Sequence, residues 1–78
     1  MALELELNGQ RREFAGLQPG DSLAALIAAL ELKGDRIAVE HNGEIVPRTG
    51  WPATTLASKD RLEVVHFVGG GTVPVASD

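Results

Sequence analysis

Leu3, Leu5 and Leu7 alternate with Glu4 and Glu6 and run directly into Asn8-Gly9. A period of two sends alternate side chains to opposite faces, so this segment is a strand with one apolar face to bury and one wet face. Asn-Gly is the residue pair that best accepts the two positive φ angles of a type I′ turn. The chain must therefore double back at once, and Gln10 to Phe14 is the return strand. Its Arg11, Arg12 and Glu13 suit a sheet edge, where charge discourages pairing with other chains.

A hairpin alone cannot hide its leucine face, and the next segment supplies the cover. After Pro19-Gly20, Asp21 or Ser22 can accept from the free N–H groups of a helix start, and Leu23, Leu26, Ile27 and Leu30 fall on one helical stripe. The spacing predicts a helix of about three turns, ending near Lys33-Gly34, where glycine can take the left-handed cap conformation. Arg36 to Glu40 reads as a strand, His41-Asn42-Gly43-Glu44 as a turn, and Ile45-Val46 as a short strand stopped by Pro47. Arg48 to Lys59 is irregular, with a single helical turn expected at Trp51-Pro52-Ala53. Asp60 precedes a last strand in which Leu62 and Val64 alternate with Glu63, Val65 and Phe67.

Hairpin, helix, strand, short strand, crossover and strand compose an α+β domain with one helix packed across a small mixed sheet. The chain has 78 residues and no cysteine, so a mainly aliphatic core has to stabilise it without disulfides or thiolate-bound metal. The formal net charge is −4 and the basic residues are scattered, which argues against nucleic acid as a partner. No apolar run approaches the roughly 20 residues of a membrane helix. These features lead to the expectation of a soluble, cytoplasmic protein that binds no metal or cofactor of its own. His41 and His66 are isolated in sequence and are assigned to turn and strand packing, not to a metal or catalytic pair.

The distinctive chemistry lies at the end of the last strand, where Arg61-Leu62-Glu63-Val64-Val65-His66-Phe67-Val68 opens into Gly69-Gly70-Gly71. Glycines fill no core, so three together indicate backbone mobility or passage through a narrow space. Residues 1–68 are read as the folded domain and 69–78 as a flexible tail, whose part beyond Gly71 is an extension. No lysine followed by Ser or Thr succeeds the glycines, which argues against a phosphate-binding loop. On composition alone, a plain linker is the competing reading.

Three stretches point further: Leu7-Asn8-Gly9, then Asn42-Gly43-Glu44-Ile45-Val46-Pro47-Arg48 with Trp51, then Val65-His66-Phe67-Val68-Gly69-Gly70-Gly71. Together they resemble the ThiS family of thiamine-biosynthesis sulfur carriers, members of the ubiquitin-like β-grasp superfamily. The resemblance implies a β-grasp fold and a carrier, not an enzyme. It implies that the carboxylate of Gly71 is adenylated by an E1-like adenylyltransferase (ThiF), which uses ATP, and is then converted to a thiocarboxylate. Sulfur would come from a donor such as a cysteine desulfurase system and pass to thiazole synthase (ThiG). Val68, Gly69 and Gly70 would form the arm that delivers Gly71. Val65 and Phe67, sharing a face on the approach to the tail, are candidates for partner docking. Trp51 and Arg48 belong to the family signature and are expected to pack and cap the crossover.

This chain departs from the family pattern in continuing past Gly71 as Thr72-Val73-Pro74-Val75-Ala76-Ser77-Asp78, so Gly71 has no free carboxylate as written. Removal of residues 72–78 by a processing protease is the expectation that reconciles the two. Alternatives are a sulfur carrier for another pathway (molybdopterin, cysteine or tRNA thiolation) and a ubiquitin-like modifier or interaction module.

Overall fold

The computed structural model describes residues 2–32, 36–68 and 71–74, with side chains through residue 66. Strand β1 (Leu3–Leu7) buries all three leucines and turns back through Asn8 (φ 50°) and Gly9 (φ 83°) into β2 (Gln10–Phe14). Both turn residues adopt the positive φ that the Asn-Gly pair predicts. Leu5 faces Arg12 in the antiparallel register, and Glu6 faces Arg11.

Helix α1 (Leu23–Ala29) is capped at its start by Ser22, whose hydroxyl accepts the Ala25 N–H at 3.1 Å. It is shorter than its apolar spacing predicts. At Glu31 the chain takes φ 58°, the Glu31 N–H donates to Ala28 O at 3.0 Å, and the Leu32 N–H reaches back to Ile27 O at 3.3 Å. This pair of bonds is a Schellman closure formed around a non-glycine residue. The helix thus ends two turns after it begins, and the expected cap at Lys33-Gly34 lies outside the described residues.

The second half contains β3 (Ile37–His41), a further positive-φ turn at Asn42 and Gly43, β4 (Glu44–Val46), a 3-10 helix (Arg48–Ala53) and β5 (Arg61–Val68). Proline 47 precedes the 3-10 helix, which is longer than the single turn expected from Trp51-Pro52-Ala53. The Trp51 indole N–H donates to Val46 O at 3.0 Å, and its ring is 5% exposed. Trp51 is therefore a packing residue of the crossover, whereas Arg48 is exposed and caps nothing in the described contacts.

The strand order is β2-β1-β5-β3-β4, with β1 parallel to β5 and the remaining neighbours in that row antiparallel. A sixth strand, β6 (Gly71–Pro74), pairs antiparallel with β5. One face of the sheet, formed by Leu3, Leu5, Leu7, Ile37, Val39, Leu62 and Val64, packs against Leu23, Leu26 and Ile27 of α1 in a single core closed by Trp51 and Leu56. Burying each such side chain contributes roughly 1.5–3 kcal/mol. The arrangement is the expected α+β architecture: a mixed sheet with one helix across it.

Candidate functional site

The candidate site lies where β5 leaves the core, at the segment that leads to the three glycines. Leu62 and Val64 are 0% exposed, so the strand that carries the glycines is anchored in the centre of the sheet. Its pairing with β1 covers only Arg61 and Leu62. Beyond that point Asn8 takes over. Its backbone N–H donates to Leu62 O at 2.9 Å, its side-chain Nδ2 donates to Val64 O at 3.1 Å, and its Oδ1 accepts the Val64 N–H at 2.8 Å. One side chain thus extends the β1 edge by a further residue pair. Sequence reading gave Asn8 only a turn role; the signal for more was the choice of Asn, whose amide can both donate and accept.

On the opposite edge β5 pairs with β3, His66 facing Ile37 and Val65 facing Ala38. Val65 is half-buried on the outer sheet face. Cross-strand register places Ala38, Glu40, Glu63 and Ile45 on that same face, and Ile45 is 75% exposed. Ile45 was missed as a candidate because β4 spans only three residues and shows no alternation of its own. Of the two proposed docking residues, Val65 is placed on this face, and the side chain of Phe67 lies outside the described residues. Further along the face, Arg11 pairs with Glu4 at 3.0 Å and Arg61 with Glu6 at 3.4 Å, exposed contacts of little energetic weight.

At the start of β5, Asp60 gathers the loop ends. Its Oδ2 accepts from His41 Nε2 at 2.7 Å and from the Ala57 N–H at 2.9 Å, and its Oδ1 accepts from Asn42 Nδ2 at 3.2 Å. Burial alone raises the Asp60 carboxyl, but the hydrogen bonds from His41, Ala57 and Asn42, with the charge of His41, outweigh it and hold the group below its ordinary value. His41 is thus a structural partner, as its isolated position in the sequence suggested. Among the described residues no three His, Cys, Asp or Glu side chains are grouped to bind a metal ion.

The glycine-containing C-terminal segment is placed in part. Val68 ends β5 and Gly71 begins β6, facing each other in register. Gly69, Gly70 and residues 75–78 lie outside the described residues. A wholly flexible segment from residue 69 was expected from composition; over Gly71–Pro74 the backbone is instead an ordered strand on the β5 edge, because that edge is left open once Asn8 has been used.

The ThiS family model matches residues 5–71, from the second core leucine to the third glycine. The chain belongs to the ThiS family. It is 33% identical over 67 residues to the sulfur carrier protein ThiS of Bacillus subtilis, covering 86% of this chain and 98% of that one. It is 34% identical over 70 residues to the thiazole synthase of Paramagnetospirillum magneticum, covering 90% of this chain but 21% of that protein. The chain therefore spans about a fifth of the length of the thiazole synthases it matches. The crystal structure of the thiamine biosynthesis protein ThiS from Geobacter metallireducens superposes with a TM-score of 0.76 at 31% identity, covering 88% of this chain and 100% of that one. The fold is thus the β-grasp of ThiS. No helix among the described residues is long and apolar enough to cross a membrane.

Proposed function

We propose that this chain is a sulfur carrier for the thiazole moiety of thiamine, with Gly71 as the residue that bears the sulfur. The observation that carries the reading is that the family match ends at Gly71, at the outlet of the central, fully anchored strand β5. A rigid domain that delivers a side-chain-free segment can place an acyl carbon in a narrow partner site without steric cost. The chain acts as cosubstrate, not catalyst.

In the proposed cycle, water cleaves the Gly71–Thr72 amide, leaving a Gly71 carboxylate and a Thr72 amine. A carboxylate is a poor electrophile. Attack of its oxygen on the α-phosphate of ATP, in an E1-like adenylyltransferase of the ThiF kind, releases pyrophosphate and gives an acyl adenylate. The terminal sulfur of a persulfide from a cysteine desulfurase system then attacks the acyl carbon and displaces AMP to give an acyl disulfide. A second thiol of the partner proteins reduces its S–S bond, leaving the Gly71 thiocarboxylate and a disulfide on the partner side. Because the chain contains no cysteine, it cannot hold a persulfide, and the sulfur has to come from outside. Thiazole synthase as the recipient is supported by the two thiazole synthases that carry, within their own chains, a segment similar to most of this one.

Protein ending at Gly71 should acquire AMP from ATP and the cognate adenylyltransferase, whereas Gly71→Ala in that chain should acquire little. Equal activity of the full chain and the shortened one would overturn the processing step. For the docking face, Val65→Asp should weaken binding to the adenylyltransferase or to thiazole synthase while leaving the thermal midpoint within a few degrees; unchanged affinity for both would remove Val65 from the interface.

A further inference from the structure

We propose that β6 is an intramolecular clasp, which occupies the edge of β5 that Asn8 leaves free and keeps Gly71 in paired backbone until residues 72–74 are withdrawn. The clasp gains its regulatory meaning from the reading of Gly71 as the reactive residue, but its existence is a matter of backbone pairing alone.

In an antiparallel sheet, successive residues of a strand direct their N–H and C=O groups to alternate edges. The Leu62 carbonyl and both backbone groups of Val64 face Asn8, while the Arg61 carbonyl accepts the Asn42 N–H at 2.8 Å on the β3 side. Even-numbered residues of β5 therefore bond toward β1 and odd-numbered ones toward β3. Next in the even series are His66 and Val68, and β1 has already ended. Their register partners are Val73 and Gly71 of β6. Pro74, which has no N–H to give, faces Val65, an odd-numbered residue whose own backbone groups bond toward β3. The proline thus sits where a missing donor costs nothing, and it ends the strand before the backbone reaches the place held by Asn8.

Two consequences follow for any enzyme that works at this residue. The Gly71–Thr72 bond lies within the paired strand, and a protease binds its substrate as an open, extended segment. Cleavage then proceeds only from the unpaired state, at a rate set by the population of that state when opening is fast. Once residues 72–74 are gone, His66 loses its partner Val73, and Gly71 is left as a chain end held only by its single pairing with Val68. Hydrolysis would both create the carboxylate and open the clasp.

Amide hydrogen exchange of the full chain, read residue by residue, tests the clasp without any partner enzyme. Val73→Pro removes the β6 backbone donor opposite His66 and leaves the chain length unchanged. Exchange at His66 and Val68 should be slow in the full chain and at least about tenfold faster both in Val73→Pro and in the chain ending at Gly71. The Val64 amide, held by Asn8, should exchange equally in all three. Equal rates at His66 and Val68 in the three proteins would overturn the clasp. So would acceleration at Val64 in step with them, which would make β6 part of the global fold and not a separable strand. Because adenylation of the chain ending at Gly71 is read separately, loss of the clasp and loss of the carrier role are distinguishable outcomes.

Discussion

Asn8 and Val64, 56 positions apart in sequence, are joined by two hydrogen bonds between one side-chain amide and one residue's backbone, 3.1 Å from Nδ2 to O and 2.8 Å from N to Oδ1. The bridge ties the first turn to the strand that leads to the glycines. Asn8→Gly retains the positive φ of the turn but loses both bonds, and should cost about 1–3 kcal/mol. Asn8→Ala should cost more, since alanine is strained at φ 50°. Urea unfolding of the two variants checks the order; an Asn8→Gly protein as stable as the parent would remove the bridge from the account.

Glu31 closes α1 in the left-handed region, at φ 58°. Glycine reaches that conformation without strain, so Glu31→Gly should stabilise the protein by roughly 0.5–1 kcal/mol despite glycine's greater freedom in the unfolded chain. An increase in the thermal midpoint by a few degrees is the expected reading.

Asp60 provides the pH dependence. Its carboxyl is held below the ordinary value, so the stabilisation it supplies is fully present above about pH 4 and is lost as pH falls through the lowered folded-state pKa. Asp60→Asn should lower stability at neutral pH by roughly 1–2 kcal/mol, and the gap to the parent should shrink as the solution is acidified. Urea midpoints of both proteins across the acid range measure it, and a gap independent of pH would contradict the assignment.

Trp51 both fills the core and donates to Val46 O. Trp51→Phe keeps an aromatic ring but leaves that carbonyl without its indole donor, and should cost about 1–3 kcal/mol. Denaturant unfolding followed by circular dichroism is suitable, since the variant lacks the chain's only tryptophan.

Elements whose cause is local were legible in the amino-acid sequence. The leucine alternation set β1, Asn8-Gly9 and Asn42-Gly43 set their turns, and Ser22 set the helix start. Less legible were features decided by distant partners. Leu30 continues the apolar helical stripe, yet the chain turns at Glu31 so that Leu32 packs back on the core, a choice that only the tertiary contacts reveal. Asp60 showed as a residue before a strand, and its partners His41 and Asn42 become visible only when β3 lies beside β5. For β6 a sequence signal did exist: Val68 on one side of the three glycines and Thr72-Val73 on the other are β-branched runs separated by a short glycine loop, a hairpin signature. The sequence reading takes the three glycines as a free arm without weighing this signal, and the edge of β5 beyond Asn8 is where Gly71–Pro74 pairs.

The carrier role is tested most directly by the intact mass of the protein isolated from its native cells under thiamine limitation. The account predicts a species whose last residue is Gly71 and in which one carboxyl oxygen is replaced by sulfur. Recovery only of unmodified chains that still carry Thr72, from cells actively making thiazole, would contradict it.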